Sequence, residues 1–165
     1  MEIFYKLRMA IKNLKWRIQR FKRGYADIDV WDMDCWFMNI IPKMLKQLRD
    51  TTHGAPMLLD EGATDENRFR IWNGILNKMI YLAKEMNEET CSYKNEYEEE
   101  FFKYIESENL FSDESSRLPL EIRHELKNRI SEKYCEQEKT IARYREICKN
   151  RFFKLFSKYF YDLWD

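Results

Sequence analysis

The sequence has few of the residues that make tight turns or metal sites. Of its 165 residues, 4 are glycine and 3 are proline, which leaves little material for the hairpins of a β-sheet. There are 2 histidines, and the 4 cysteines show no C-x-x-C spacing: Cys35, Cys91, Cys135 and Cys148. A zinc site is therefore not expected, and free, buried thiols in a reducing compartment are the natural interpretation.

Long apolar runs and a net charge are also lacking. No run approaches the roughly 20 apolar residues that span a bilayer, and the first residues have no signal-peptide core. Lys+Arg and Asp+Glu both number 29, so no global charge draws the chain to nucleic acid or a membrane. We expect a soluble protein of the cytoplasm, with no membrane partner and with nucleic acid an improbable one.

Catalytic signatures are missing too. The chain has no G-x-S-x-G, no P-loop and no H-E-x-x-H, and two histidines offer few general bases. His53, next to Gly54, is interpreted as a hydrogen-bonding loop residue rather than a base. We therefore expect a protein that is not an enzyme and that needs no cofactor.

What the sequence does have is apolar residues at helical spacing along most of its length. The pattern predicts helices over 2–22, 29–49, 65–87 and 93–109, and a long last helix from Pro119 nearly to Asp165. A polar stretch at 112–117 separates the last two. The fold class is all-α: one domain over 1–165, a bundle of about five helices with a long C-terminal helix, in which 85–150 is a possible elaboration of the core.

The segment from Arg23 to Leu48 is predicted to organise the fold. Its apolar residues share one stripe, which consists of Val30, Met33, Phe37, Ile40, Ile41, Met44 and Leu48, and this indicates an enclosed central helix. Pro42 should kink this helix without ending it. Asp27 or Asp29 is expected to cap its start, and Arg23 to pair with Asp27 or Asp34. The aromatic C-terminus should cover it.

Three other segments are open to two interpretations. The first helix carries eight bases and the single acid Glu2; we expect a docked helix with a solvated basic face, although such a helix could also lie on an anionic membrane or track phosphates. The E-Y-E-E-E run at 96–100 should be a solvated face rather than a cation site. The polar stretch 131–140 should cross solvent or contact another protomer, so a homo-oligomer is possible.

Motifs at both ends and in the middle of the chain suggest a relationship. R-G-Y-x-D-x-D-V-W-x-x-D-x-W-F at 23–37 and L-F-S-K-Y-F-Y-D-L-W-D at 155–165 resemble a family of small, mostly uncharacterised bacteriophage and prophage proteins. H-G-x-P at 53–56 and I-W-x-x-I-L-x-K-M-I at 71–80 fit the same pattern. The resemblance implies a phage accessory protein in the host cytoplasm. It supplies no reaction, and Ala26 stands where a small polar residue is expected.

Four functions compete. The favoured hypothesis is stoichiometric binding that antagonises a host defence component, either an effector protein or a nucleotide-type signal. The residues suited to that contact are Arg20, Arg23, Tyr25, Trp31, Asp34 and Trp36. A metal-dependent all-α nucleotide hydrolase would instead use Asp27, Asp29 and Asp34 with glutamates of the fourth helix. A nucleic-acid binder and a structural or assembly protein are the remaining alternatives.

Overall fold

A computed structural model describes residues 2–59, 62, 64–110 and 120–164, with side chains at 4–57, 59, 62, 64–106 and 128–164. This part of the chain contains six α-helices and no strand. They are α1 (Glu2–Arg23), α2 (Asp27–Trp31), α3 (Met33–Thr51), α4 (Asp65–Glu85), α5 (Glu98–Leu110) and α6 (Leu120–Lys158). The all-α prediction with a long C-terminal helix is confirmed. The predicted break at 112–117 and Pro119 lie outside the described residues.

The helix at the centre is α4, and the prediction that 29–49 is the enclosed central helix is wrong. α4 packs against both α3 and α6, and it supplies most of the buried core: Trp72, Leu76, Met79, Ile80, Leu82 and Ala83. In α3, by contrast, the buried side chains are Pro42 and Leu45. The apolar stripe of α3 does lie on one face, but periodicity alone does not say how many neighbours a helix has.

The predicted central helix is also interrupted. Asp32 has φ −125° and ψ 59°, which ends α2 after one short turn and starts α3 on a new axis. Neither aspartate caps by its side chain at the N-cap, because that position is Ala26. Asp29 instead accepts a hydrogen bond from the Ala26 N–H at 2.7 Å, the returning half of a capping box. Pro42 lies inside a continuous α3, as predicted.

The aromatic end of α6 closes the bundle, as predicted. Phe152 is fully buried and lies edge-on to Phe37 of α3, with ring centroids 6.1 Å apart. Phe156 also meets Phe37 edge-on at 6.2 Å. On the other side, Tyr159 contacts the buried Trp72 of α4 at 5.6 Å. Residues from three helices therefore share one aromatic cluster.

The polar stretch 131–140 contacts the α5 region on one side, and six of its ten residues are exposed. Its Tyr134 stacks on Phe101 of α5 with ring centroids 4.2 Å apart. Asn95, just before α5, donates to the Tyr134 carbonyl at 3.0 Å and to Glu138 at 2.8 Å. One ring stack and a few amide hydrogen bonds therefore do the packing that aliphatic side chains do elsewhere, which a hydropathy pattern does not reveal. Contact of this stretch with another protomer stays a prediction.

The first helix departs most from expectation. α1 has its main contacts with α2, and its apolar side chains, except the half-buried Met9 and Trp16, are exposed rather than packed on the bundle. No helix in the described part of the chain is apolar enough, over a sufficient length, to cross a membrane.

The cysteines are all free, but Cys35 and Cys135 are exposed while Cys91 and Cys148 are buried. The expectation of four buried thiols is therefore right for two of them.

Candidate functional site

An open groove lies where α2 and the start of α3 approach α6. It encloses about 870 Å³. Its walls are mostly apolar, and the apolar side chains are Val30, Trp31, Met33, Phe37, Met38, Met86, Ala142 and Phe153. Trp31 stands on the rim and is 85% exposed. A large aromatic ring held so far out of the core is characteristic of a contact surface, since apolar patches next to a groove mark interaction sites.

A break at Asp32 lies beside this rim. α2 ends after a single short turn, and Trp31 and Met33 lie on either side of the break. Trp31 and Met33 are both exposed and both line the groove. The aspartate-rich segment therefore has exposed apolar side chains at the groove, including Met33 of the predicted stripe.

The two basic side chains of the groove are each paired with a glutamate. Arg145 forms a salt bridge to Glu88 at 3.0 Å and donates to the Met86 carbonyl at 3.3 Å. Lys149 bonds Glu146 at 2.6 Å. Asp34 is the remaining charged side chain of the lining and is exposed. The groove thus offers apolar contact with a balanced polar edge, not a concentrated positive field for phosphate.

The two arginines predicted as binding residues both form ion pairs with aspartates of α2. Arg20 donates two hydrogen bonds to Asp29, from Nε to Oδ2 at 2.9 Å and from Nη2 to Oδ1 at 2.5 Å. Arg23 pairs with Asp27, which also accepts from Gln19 at 2.6 Å. These bonds clamp α1 to α2 around Gly24, whose φ of +80° suits a residue without a side chain.

Both aspartates of this clamp are held in the charged form. The bond from Arg23, followed by that from Gln19, lowers the pKa of Asp27 to about 2. The bonds from Arg20 lower the pKa of Asp29 as well, against an opposing effect of its burial. A carboxylate that already has such partners is a poor ligand for an added cation, because the cation would have to displace an arginine.

The other predicted residues are spread over different places. Trp31 and Asp34 share the groove. Tyr25 lies under the Arg23 guanidinium, 4.6 Å from the ring centroid, and Trp36 is half-buried on α3. The structure thus brings four of the six candidates together in two pairs, Trp31 with Asp34 and Arg23 with Tyr25, but not into one site. Within the part of the chain that the structure describes, no three His, Cys, Asp or Glu side chains are placed to hold a metal ion, so Asp27, Asp29 and Asp34 do not form a ligand set.

Sequence reasoning missed a buried polar cluster beside the groove. Glu85, at the end of α4, is buried and accepts from the Ser92 hydroxyl at 2.7 Å and from the Tyr144 hydroxyl at 2.9 Å. Since Tyr144 donates to Glu85, the neighbouring Tyr81 hydroxyl at 3.2 Å donates to Tyr144. The glutamate sits in a helical pattern where Glu is common, so only its position at the end of an apolar stripe could have signalled burial.

This cluster holds a negative charge inside the protein. Burial pushes the pKa of Glu85 upward, but the bonds from Ser92, Tyr144 and Cys91 outweigh it and keep the pKa below its usual value. The cluster therefore ties the 86–97 loop, which joins α4 to α5, to Tyr144 of α6.

The fold and groove together define a class: an all-α protein with an open, mostly apolar groove between its helices. Comparison with models of known protein families, with curated proteins and with solved structures finds no match.

Proposed function

We propose that the protein acts by stoichiometric binding to a host component, and that the groove beside Trp31 is its contact surface. The observation that carries the proposal is the 85% exposure of Trp31 on the rim of a groove of about 870 Å³. Aromatic anchors beside such a groove are the usual energetic centre of a protein interface. The resemblance to phage accessory proteins, carried by the motif at 23–37, supports antagonism of host defence as the biological role.

The chemistry of the groove favours an effector protein over a nucleotide-type signal. A nucleotide needs cations that are free to meet phosphate. On the groove, Arg145 and Lys149 are paired with Glu88 and Glu146, and the nearby Arg20 and Arg23 are committed to the α1–α2 clamp. An apolar side chain from a protein can enter the groove without breaking any of these pairs.

The test is capture of host proteins on the full chain, quantified against the bait, for three forms of the protein. We expect Trp31→Ala to reduce recovery of the bound component about tenfold or more, because losing a central aromatic anchor commonly costs that much. Trp164→Ala is the matched control, since Trp164 is also exposed, at 71%, and does not line the groove.

Two results would overturn the proposal. One is equal recovery of the component by wild type and Trp31→Ala, with circular dichroism showing that both are folded. The other is release of a nucleotide from the purified protein by heat, bound equally well by Trp31→Ala, which would place the site elsewhere and change the class of ligand.

A further inference from the structure

The main apolar face of α1 is exposed along the helix. Its six side chains, which we call the α1 seam, are Phe4, Leu7, Ile11, Leu14, Ile18 and Phe21, and their exposed fractions run from 47% to 92%. The clamp to α2 uses Gln19, Arg20 and Arg23, and Lys15 also pairs with Asp27 at 3.5 Å. At 100° per residue, the middle of that bonded face lies roughly 135° from the middle of the seam. α2 therefore holds the back of α1 and leaves the seam open.

The spacing within the seam is that of a coiled coil. Successive members are three, four, three, four and three residues apart, which is the a and d pattern of a heptad repeat. Ile11 and Ile18 occupy a positions, and Leu7 and Leu14 occupy d positions. Ile at a with Leu at d favours two strands. The seam is also narrow, whereas a helix that lies in a lipid surface has a broader apolar face.

The positions beside the seam decide what kind of helix it can accept. Arg8, Lys15 and Lys22 occupy the e positions, and Arg17 occupies a g position. No acidic residue stands between Ile3 and Ala26. A second copy of α1 in parallel would set Arg17 of one copy against Lys22 of the other, and in either direction only bases would meet. Charges at e and g set partner choice, so this arrangement disfavours self-pairing.

We propose that the α1 seam docks an amphipathic helix of another protein, one whose own apolar heptads are flanked by glutamate or aspartate, to form a two-helix coiled coil. Charge complementarity identifies the occupant: acids at its e and g positions would meet Arg8, Arg17 and Lys22, and would share Lys15 with Asp27, to which Lys15 is paired in this structure. The seam shares no residue with the groove beside Trp31, so this proposal goes beyond the proposed function and can hold or fail independently of it.

The experiment uses the full chain and a synthetic three-heptad peptide with Ile at a, Leu at d and Glu at e and g. A control peptide has Lys at e and g. Affinity is measured by fluorescence anisotropy at neutral pH, and the mass of the complex by sedimentation equilibrium. We expect one acidic peptide to bind each chain, and the control peptide to bind at least about tenfold more weakly because like charges face one another.

Matched variants locate the contact. Ile11→Asn with Leu14→Asn should weaken the acidic peptide about tenfold or more, because both replace central seam side chains, while Lys12→Asn, at an exposed b position, should leave the affinity within about twofold. Arg8→Glu, at an e position, should weaken the acidic peptide and strengthen the basic one. Lys12→Glu carries the same change of charge away from the seam and should do much less.

Several outcomes would overturn the proposal, once circular dichroism shows that each variant has kept its helix content. They are no binding of the acidic peptide, binding that survives Ile11→Asn with Leu14→Asn, or equal binding of both peptides. Self-association of the chain that depends on the seam would assign the seam to a second copy. Tighter, seam-dependent binding to phosphatidylserine vesicles than to the acidic peptide would assign it to a lipid surface.

Discussion

α1 and α4 are helices of nearly equal length, 22 and 21 residues, and both carry apolar residues at helical spacing. In α4 those residues are buried between α3 and α6, whereas in α1 they are exposed. What distinguishes the helices is the flank of the stripe. In α4 one flank of the stripe carries a further buried apolar residue, Leu82, whereas in α1 both flanks carry bases, Arg8 on one side and Arg17 on the other. A stripe edged by like charges is suited to a partner of opposite charge rather than to the protein's own core.

The largest difference between the two helices should appear when one leucine is truncated in each. Leu76→Ala should lower the free energy of unfolding by about 3 kcal/mol, because it leaves a cavity in a fully buried site. Leu14→Ala should change it by less than about 0.5 kcal/mol, because Leu14 is 58% exposed. Urea unfolding measures both, and a similar loss in the two variants would show that α1 packs on the bundle.

The next effect tests the buried carboxylate at the end of α4. Glu85→Gln should cost about 2 kcal/mol at neutral pH, because charged acceptor bonds from Ser92 and Tyr144 are replaced by weaker or mismatched ones. Since the pKa of Glu85 is lowered in the folded protein, its contribution is present above the unfolded pKa and is lost as pH falls through the folded value. Glu100→Gln, on an exposed face of α5, is the control and should be neutral.

A smaller effect is expected where α1 joins α2. Arg20→Ala removes both bonds to Asp29 and should weaken the local structure by about 1 kcal/mol, because one partner is half exposed and solvent screens the pair. Amide hydrogen exchange in α2 should quicken while the urea midpoint stays close to wild type. Arg17→Ala, elsewhere on α1, should leave exchange in α2 unchanged. A global loss of stability would contradict this assignment.

Substitution of two glycines by alanine should change stability in opposite directions. Gly74 lies within α4, and a methyl group added there would meet open space, so Gly74→Ala should raise the free energy of unfolding by about 0.5–1 kcal/mol. Gly24 has φ +80°, so Gly24→Ala should loosen the α1–α2 clamp by about 1 kcal/mol, seen as faster exchange in α2. Destabilisation by Gly74→Ala would mean that this face of α4 has a further neighbour.

Lowering the pH should weaken the bonds of Asp27 that join α1 to α2, and this effect should be the smallest and most local of those predicted. The pKa of Asp27 is lowered to about 2 by Arg23 and Gln19. A lowered folded pKa means that the carboxylate stabilises the clamp above its ordinary pKa and stops doing so as pH falls towards 2. The Asp27 carboxyl carbon, followed by NMR, should therefore titrate well below an ordinary aspartate in wild type and close to the ordinary value in Arg23→Ala.

Much of the fold can be predicted from the sequence because local signals suffice for it. Thr64 accepts the Asn67 N–H at 3.4 Å at the start of α4, where its residue type predicts a cap. Local pattern also predicts the aromatic stripe of 152–160 and the continuation of α3 through Pro42. It does not predict the choice of central helix, because the stripes of α3 and α4 look alike and only tertiary packing shows which has neighbours on two sides.

The candidate site is less predictable for a related reason. Aspartates around α2 indicate capping or metal binding by their type, but their partners Arg20 and Gln19 come from the previous helix, and no local rule fixes that pairing. Likewise Glu85 is buried only because Ser92 and Tyr144, seven and 59 positions along the chain, reach it. Residue type favours Trp31 for a contact, but the helical pattern indicates neither its 85% exposure nor the break at Asp32.

The turn at Gly24, which joins α1 to α2, has one more consequence. α1 measures about 33 Å at 1.5 Å per residue, and it is fastened near one end, by the clamp to α2. The proposed contact on α1 and the proposed contact in the groove share no residue. A molecule bound along α1 therefore does not by itself occupy the groove.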